Sequence, residues 1–108
     1  MVNPAIVAII KNYLAVVQEK GVRISQAILF GSYAKGKENP DSDIDLLVVG
    51  PDFDPHPARD LVAKLWRLRA ETDSRIEPIP VGDQRWKEDD SDVIIEIARR
   101  EGIPISLS

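Results

Sequence analysis

The chain has no cysteine, which excludes disulfide staples and thiolate-held metal sites. No apolar run approaches the roughly 20 residues needed to span a bilayer, so no membrane role is expected. The N-terminus lacks the basic-then-apolar order of an export signal, and the expected location is the cytoplasm. A positive surplus is missing too: 14 Lys and Arg stand against 18 Asp and Glu, a net charge of −4. Proteins that hold nucleic acid through its phosphates carry a basic stripe or a positive excess. Here the cations are scattered, the densest set being Lys64, Arg67 and Arg69. A polynucleotide substrate is therefore disfavoured. Internal repeats and low-complexity segments are also absent.

What is there fits one domain over residues 1–108, long enough for a single hydrophobic core. Asn3-Pro4 reads as a helix start, a capping side chain followed by proline in the first turn. Ile6, Ile9, Ile10, Tyr13, Leu14 and Val17 then share one helical face, and Gly21 closes the run. Gln26 to Phe30 is short and apolar, a buried strand. Ile44 to Val49 is a second, rich in β-branched residues. Three prolines between Pro51 and Pro57 dictate a loop. Ala58, Leu61, Val62, Leu65 and Leu68 restore the helical period. Ile76 to Val81 is a third strand, and its two prolines suit a sheet edge. Ser91 is expected to cap a last helix with Val93, Ile94, Ile97 and Ala98 inward, ended by Gly102. Ile103 to Leu107 reads as a short final strand.

This order predicts an α/β (α+β) fold, a small mixed sheet with helices packed mainly on one face. Strands two and three flank a helix and should be parallel neighbours. Strands one and two are joined by about a dozen residues, which suits an antiparallel pair. The end of strand one then meets the beginnings of strands two and three. Gly31 and Ser32 close strand one, Asp43 and Asp45 open strand two, and Glu77 stands near the start of strand three. Side chains alternate along a strand, so Asp43 and Asp45 share a face that Glu77 can join.

Three carboxylates at one place repel unless a divalent ion neutralises them, and an all-oxygen donor set suits Mg²⁺ or Mn²⁺. Two ions about 4 Å apart are the arrangement used for in-line displacement at phosphorus. Glycine lets backbone approach a ligand closely, and amides at the start of a short helix from Ser32 would face phosphate oxygens. An anion cradle beside a dication site describes a nucleoside-triphosphate site.

Gly31-Ser32, ten intervening residues, then Asp43-Ile44-Asp45 resembles the signature of the polymerase-beta-like nucleotidyltransferases. The short chain, with Glu77 to Val81 reading EPIPV and ARREGIPI near the end, resembles their minimal nucleotidyltransferase (MNT) group. That resemblance implies the polymerase-beta-like nucleotidyltransferase fold and transfer of a nucleoside monophosphate, AMP from ATP, onto a hydroxyl. It implies that Asp43 and Asp45 bind both metal ions. Glu77 binds the catalytic one and helps activate the acceptor, although the family often has aspartate there. Gly31 and Ser32 hold the triphosphate. Lys35 stands where the family often has arginine and is a nucleotide-binding candidate with only a point charge to offer. The group is commonly paired with a helical HEPN-domain protein, some as toxin–antitoxin systems in which the MNT protein adenylylates the toxin. The acceptor implied here is such a partner.

Plainer readings stand beside these. Asp41 fits turn chemistry, as do its neighbours Asn39 to Ser42, whereas Asp45 lies inside an apolar run where a turn explains nothing. Gly31-Ser32 alone would be a helix cap, Lys35 a surface lysine, and Glu77 a solvated edge residue. His56 follows the far end of strand two and lies outside the expected site. Trp66 and Trp86 read as packing or partner-interface residues, with Trp86 a candidate anchor. A rival function is a non-catalytic module that neutralises its HEPN partner by covering it.

Overall fold

In a computed structural model of the chain, residues 2–89 and 91–107 are described. The elements are α1 (Pro4–Glu19), β1 (Gln26–Phe30), α2 (Ser32–Lys35), β2 (Ile44–Gly50), α3 (Arg59–Ala70), β3 (Ile76–Gly82), α4 (Asp83–Glu88), α5 (Val93–Glu101) and β4 (Ile103–Pro104). The strands form one sheet in the order β3-β2-β1-β4. β2 runs parallel to β3 and antiparallel to β1, and β4 adds antiparallel to β1. The mixed sheet and the convergence of the three strand ends match the sequence reading. Among the described residues no helix is long and apolar enough to cross a membrane.

Alternation along β2 divides the core. Ile44, Leu46 and Val48 face α1 and α3, together with Leu29 and Ile76. Leu47 and Val49 face the other way, with Ile28, Phe30, Val81 and the α5 residues Ile95 and Ala98. The two long helices thus lie on one face, and a thinner layer covers the other. α1 begins as expected, with the Ala5 amide donating to Asn3 Oδ1 at 2.8 Å and Pro4 in the first turn. It is tied to α3 by the buried Tyr13 hydroxyl, which donates to the Leu65 carbonyl at 2.8 Å. Burial raises the Tyr13 pKa well above its ordinary value, so the phenol stays a donor.

Three details differ from the sequence reading. Asp92, not Ser91, caps α5: its carboxylate accepts from the Ile94 and Ile95 amides, while the Ser91 hydroxyl donates to Asp89. The face turned inward is Ile95 and Ala98, packed on the sheet, with Ile97 half-buried and Val93 and Ile94 exposed. α4 has no counterpart in the sequence reading because it buries no side chain fully and so shows no apolar period. Its Arg85 pairs instead with Asp89 and Asp92, at 3.3 and 2.7 Å. The last strand is only Ile103–Pro104, rather than running to Leu107.

β3 is an edge strand, and its prolines fit that place in detail. The Arg75 carbonyl accepts from the Ile44 amide at 2.8 Å, so it points inward to β2. The Ile76 carbonyl, one residue on, points outward, where Arg69 donates to it at 3.0 Å. Pro78 and Pro80 have the parity of Ile76, so their missing N–H groups fall on the open edge and cost no ladder bond.

Tyr13→Phe removes one buried hydrogen bond without opening a cavity and should lower unfolding stability by about 1 kcal/mol. In urea denaturation the midpoint should fall with an unchanged slope. An unchanged midpoint would show that the α1–α3 tie contributes nothing net.

Candidate active site

Strand register brings the expected residues together. Phe30, the last residue of β1, is opposite Asp45, and Asp45 is opposite Glu77 on β3. Asp45 and Glu77 share the parity of Leu47 and Ile79, so both lie on the α5 side of the sheet. Asp43 precedes the strand by one residue and is exposed, whereas Asp45 and Glu77 are half-buried. The Glu77 carboxyl lies close enough to both aspartates for each to act on its proton.

The electrostatics follow from that crowding. Burial raises the Asp45 pKa, the Asp43 charge raises it further, and the Glu77 contact partly offsets both. Glu77 is raised by burial, then by its contact with Asp43 and by the charges of both aspartates. Arg69 draws it part of the way back. None of the three acids enters an ion pair among the described residues.

Gly31 joins this cluster through its backbone. It has φ +74° and ψ −152°, a conformation open in practice to glycine alone. A Cβ at this position would run into the Asp45 carboxylate. The backbone at the end of β1 therefore lies directly against the acid at the start of β2. α2 begins on the next residue, its first turn closed by Ala34 and Lys35 amides donating to the Gly31 carbonyl at 3.1 and 3.2 Å. The Ser32 and Tyr33 amides come before any carbonyl of their own helix that they could reach, so they are available to a ligand.

Lys35 is not brought to the acids. Its ammonium sits 3.3 Å from the Glu101 carboxylate at the end of α5, with both side chains well exposed. His56 lies in the exposed loop beyond the opposite end of β2. Arg69 is a site neighbour that sequence reasoning missed. It lies eight residues before Glu77 on a different element, and only the α3–β3 turn folds it back. Its guanidinium donates to the Ser74 and Ile76 carbonyls at 2.9 and 3.0 Å and lies 4.5 Å from the Trp66 ring centroid. Tyr33 makes a similar, longer link across the turn, its hydroxyl accepting from Arg75 at 3.4 Å.

The donor set of Asp43, Asp45 and Glu77 is all oxygen, negatively charged and, among the described residues, in no ion pair with a protein cation, which fits a hard divalent ion. Among the described residues the acids do not close into a finished three-ligand cage. Crowded carboxylates without a counter-ion separate or share protons.

Comparison with known proteins decides the family. Residues 10–101 match the family described as the nucleotidyltransferase domain. The chain belongs to that family. A Methanocaldococcus jannaschii protein named "Putative protein adenylyltransferase" is 61% identical over 33 residues, 30% of this chain and 33% of the relative. The match thus spans a third of that relative's length. Among solved structures, a toxin–antitoxin complex with AMP-PNP superposes with TM-score 0.64 at 20% identity, covering 91% of this chain and 73% of that one. A mutant of the toxin–antitoxin MntA-HpeT superposes with TM-score 0.62 at 17% identity, with the same coverage. These likenesses give the nucleotidyltransferase domain its fold.

The raised pKa of Asp45 means that the folded state binds its proton more tightly than the unfolded chain does. Its contribution to stability is then full below the ordinary carboxylate pKa of about 4 and is lost as pH rises through the raised value. Metal-free Asp45→Asn should match the parent protein in acid and melt higher at neutral pH, which scanning calorimetry from acid to neutral would resolve. A variant that melts lower throughout would mark Asp45 as structural. Gly31→Ala adds a strained backbone and a clash and should destabilise the fold by roughly 1–3 kcal/mol; an unchanged urea midpoint would remove the close-approach argument.

Proposed function

We propose that this chain is a minimal nucleotidyltransferase domain that moves AMP from ATP onto a hydroxyl of a partner protein in the cytoplasm. One observation carries the reading: the Gly31 backbone, with the first amides of α2 behind it, is seated against Asp45, one of a cluster of three carboxylates. A cradle for phosphate and a site for dications therefore share one wall. In this reading the Ser32 and Tyr33 amides and the Ser32 hydroxyl hold the triphosphate. Asp43, Asp45 and Glu77 hold Mg²⁺ or Mn²⁺. When bound, the metal neutralises the triphosphate and polarises the α-phosphate. Glu77 accepts the proton of the incoming hydroxyl on a carboxylate oxygen. The oxygen–phosphorus bond to the acceptor forms as the bond to pyrophosphate breaks. Lys35 reaches the phosphates only by leaving Glu101.

The partner we favour is a HEPN-domain toxin that this chain silences by adenylylation. The name of the curated relative and the toxin–antitoxin origin of the structural neighbours support that choice. A second reading, silencing by coverage alone, draws on the exposed Val93 and Ile94 of α5, a small apolar face that a partner could cover.

Two measurements separate the possibilities. Calorimetric titration with ATP should show clearly tighter binding in Mg²⁺ than in EDTA, since the acids repel the triphosphate otherwise; equal affinity would sink the metal-dependent reading. Asp43→Asn should still bind the partner yet fail to silence it, and partner treated with the parent protein, ATP and Mg²⁺ should gain the mass of one or more AMP groups. Silencing by the variant without any mass change would decide for coverage.

A further inference from the structure

In an in-line displacement the nucleophile enters opposite the departing group. Taking the proposed function as given, the pyrophosphate end lies toward Gly31 and Ser32, which follow β1 in the interior of the sheet. The acceptor then comes from the other side of the acids, past Glu77. Glu77 is on β3, and β3 is the sheet edge.

That edge cannot take a partner by strand addition. Its outward amides at positions 78 and 80 are prolines, and the outward carbonyls of Ser74 and Ile76 are already held by Arg69. Contact must be made through side chains, and α3 supplies those beside the Glu77 end of the edge through Arg69. Its exposed face carries Arg59, Ala63, Trp66, Arg67 and Ala70, which recur at helical spacing. Trp66 is 37% exposed and stacks on Arg69, whose charge acts on Glu77. Arg59 and Arg67 enter no ion pair among the described residues. Asp60 and Glu71 flank this face, and the Asp60 carboxylate is engaged by the Leu61 amide. In a chain of net charge −4, a helix with four cations and one acid is a local reversal of sign.

We propose that the outer face of α3, from Arg59 through Trp66 and Arg67 to Arg69 at the β3 edge, receives an acidic stretch of the acceptor polypeptide. Charge complementarity selects the acidic partner. The carboxylates select polypeptide over nucleic acid: a phosphate backbone would carry its charge on past Glu77. A polypeptide can lay acidic residues on α3 and bring a neutral hydroxyl to the acids.

Fluorescently labelled poly(Glu,Tyr) copolymer is the probe, with poly(Lys,Tyr) and oligouridylate as comparisons, followed by anisotropy. Poly(Glu,Tyr) should bind best and weaken with added salt. Arg59→Glu with Arg67→Glu should cost roughly tenfold in affinity. Trp66→Ala should also weaken binding. Circular dichroism should confirm folded variants, and Mg²⁺–ATP affinity by calorimetry should stay at the parent value. With ATP radiolabelled at the α-phosphate, label transfer to the copolymer should fall in parallel. Unchanged copolymer affinity in the double variant, tighter binding of poly(Lys,Tyr), or no binding at all would overturn the proposal. Tighter binding of oligouridylate, lost in the double variant, would reassign the face to nucleic acid. If the parent protein shows no Mg²⁺-dependent ATP binding, the transferase reading fails; the anisotropy result judges the α3 face separately.

Discussion

The arrangement at the top of the sheet depends on one close approach, the Gly31 backbone against the Asp45 carboxylate. Antiparallel pairing of β1 with β2 fixes Phe30 opposite Asp45, so the turn that leaves β1 has to pass over the acid. Any side chain there would push the two apart. With glycine at positive φ, the chain turns at once into α2, and the first amides of that helix end up next to the carboxylates. Removing the glycine would separate the first amides of α2 from the carboxylates, which the proposed function needs as neighbours.

Crowding three acids requires something to hold them, and magnitudes show what does. Two like charges 4 Å apart repel by about 1 kcal/mol in water and about 4 kcal/mol at the effective dielectric near a protein surface. Immediately after the aspartates, β2 buries Leu46, Leu47, Val48 and Val49 completely, and Ile44 between them is equally buried. Each such side chain contributes about 1.5–3 kcal/mol. The strand therefore outweighs the repulsion and carries the acids with it. The cost of crowding then shows itself in raised pKa values at Asp45 and Glu77 rather than in a displaced strand.

What could be read from the sequence follows the same logic. The strands were legible because their apolar runs are short, uninterrupted and bounded by turn residues. The antiparallel pairing followed from connection length, and the parallel one from the helix between its strands. Once register was assumed, Asp43, Asp45 and Glu77 had to lie at one end of the sheet, and Gly31 and Ser32 beside them. Less legible was everything decided by polar side chains. Asp92 takes the place of Ser91 as the α5 cap, Ser91 being bonded to Asp89, and the isoleucine that faces inward is the one that meets the sheet. α4 left no periodic trace. Lys35 had equal claims to phosphate and to solvent, and its pairing with Glu101 depends on the end of α5, more than sixty residues away.

The edge strand shows how one constraint serves both folding and chemistry. An open β-edge invites pairing with another chain, and proteins blunt such edges with proline or charge. β3 does both, with Pro78 and Pro80 on the outward positions and the Arg69 guanidinium over the outward carbonyls. The same Arg69 rests against Trp66 and reaches electrostatically to Glu77. An edge closed to backbone pairing but lined with side chains suits a surface that must engage a partner and then release it. Strand addition would bind through a row of backbone hydrogen bonds indifferent to the partner's sequence. A cationic helix face discriminates by charge, and salt and product release can loosen it. On the proposed reading, the prolines of β3 thereby leave recognition at this edge to the side chains of α3.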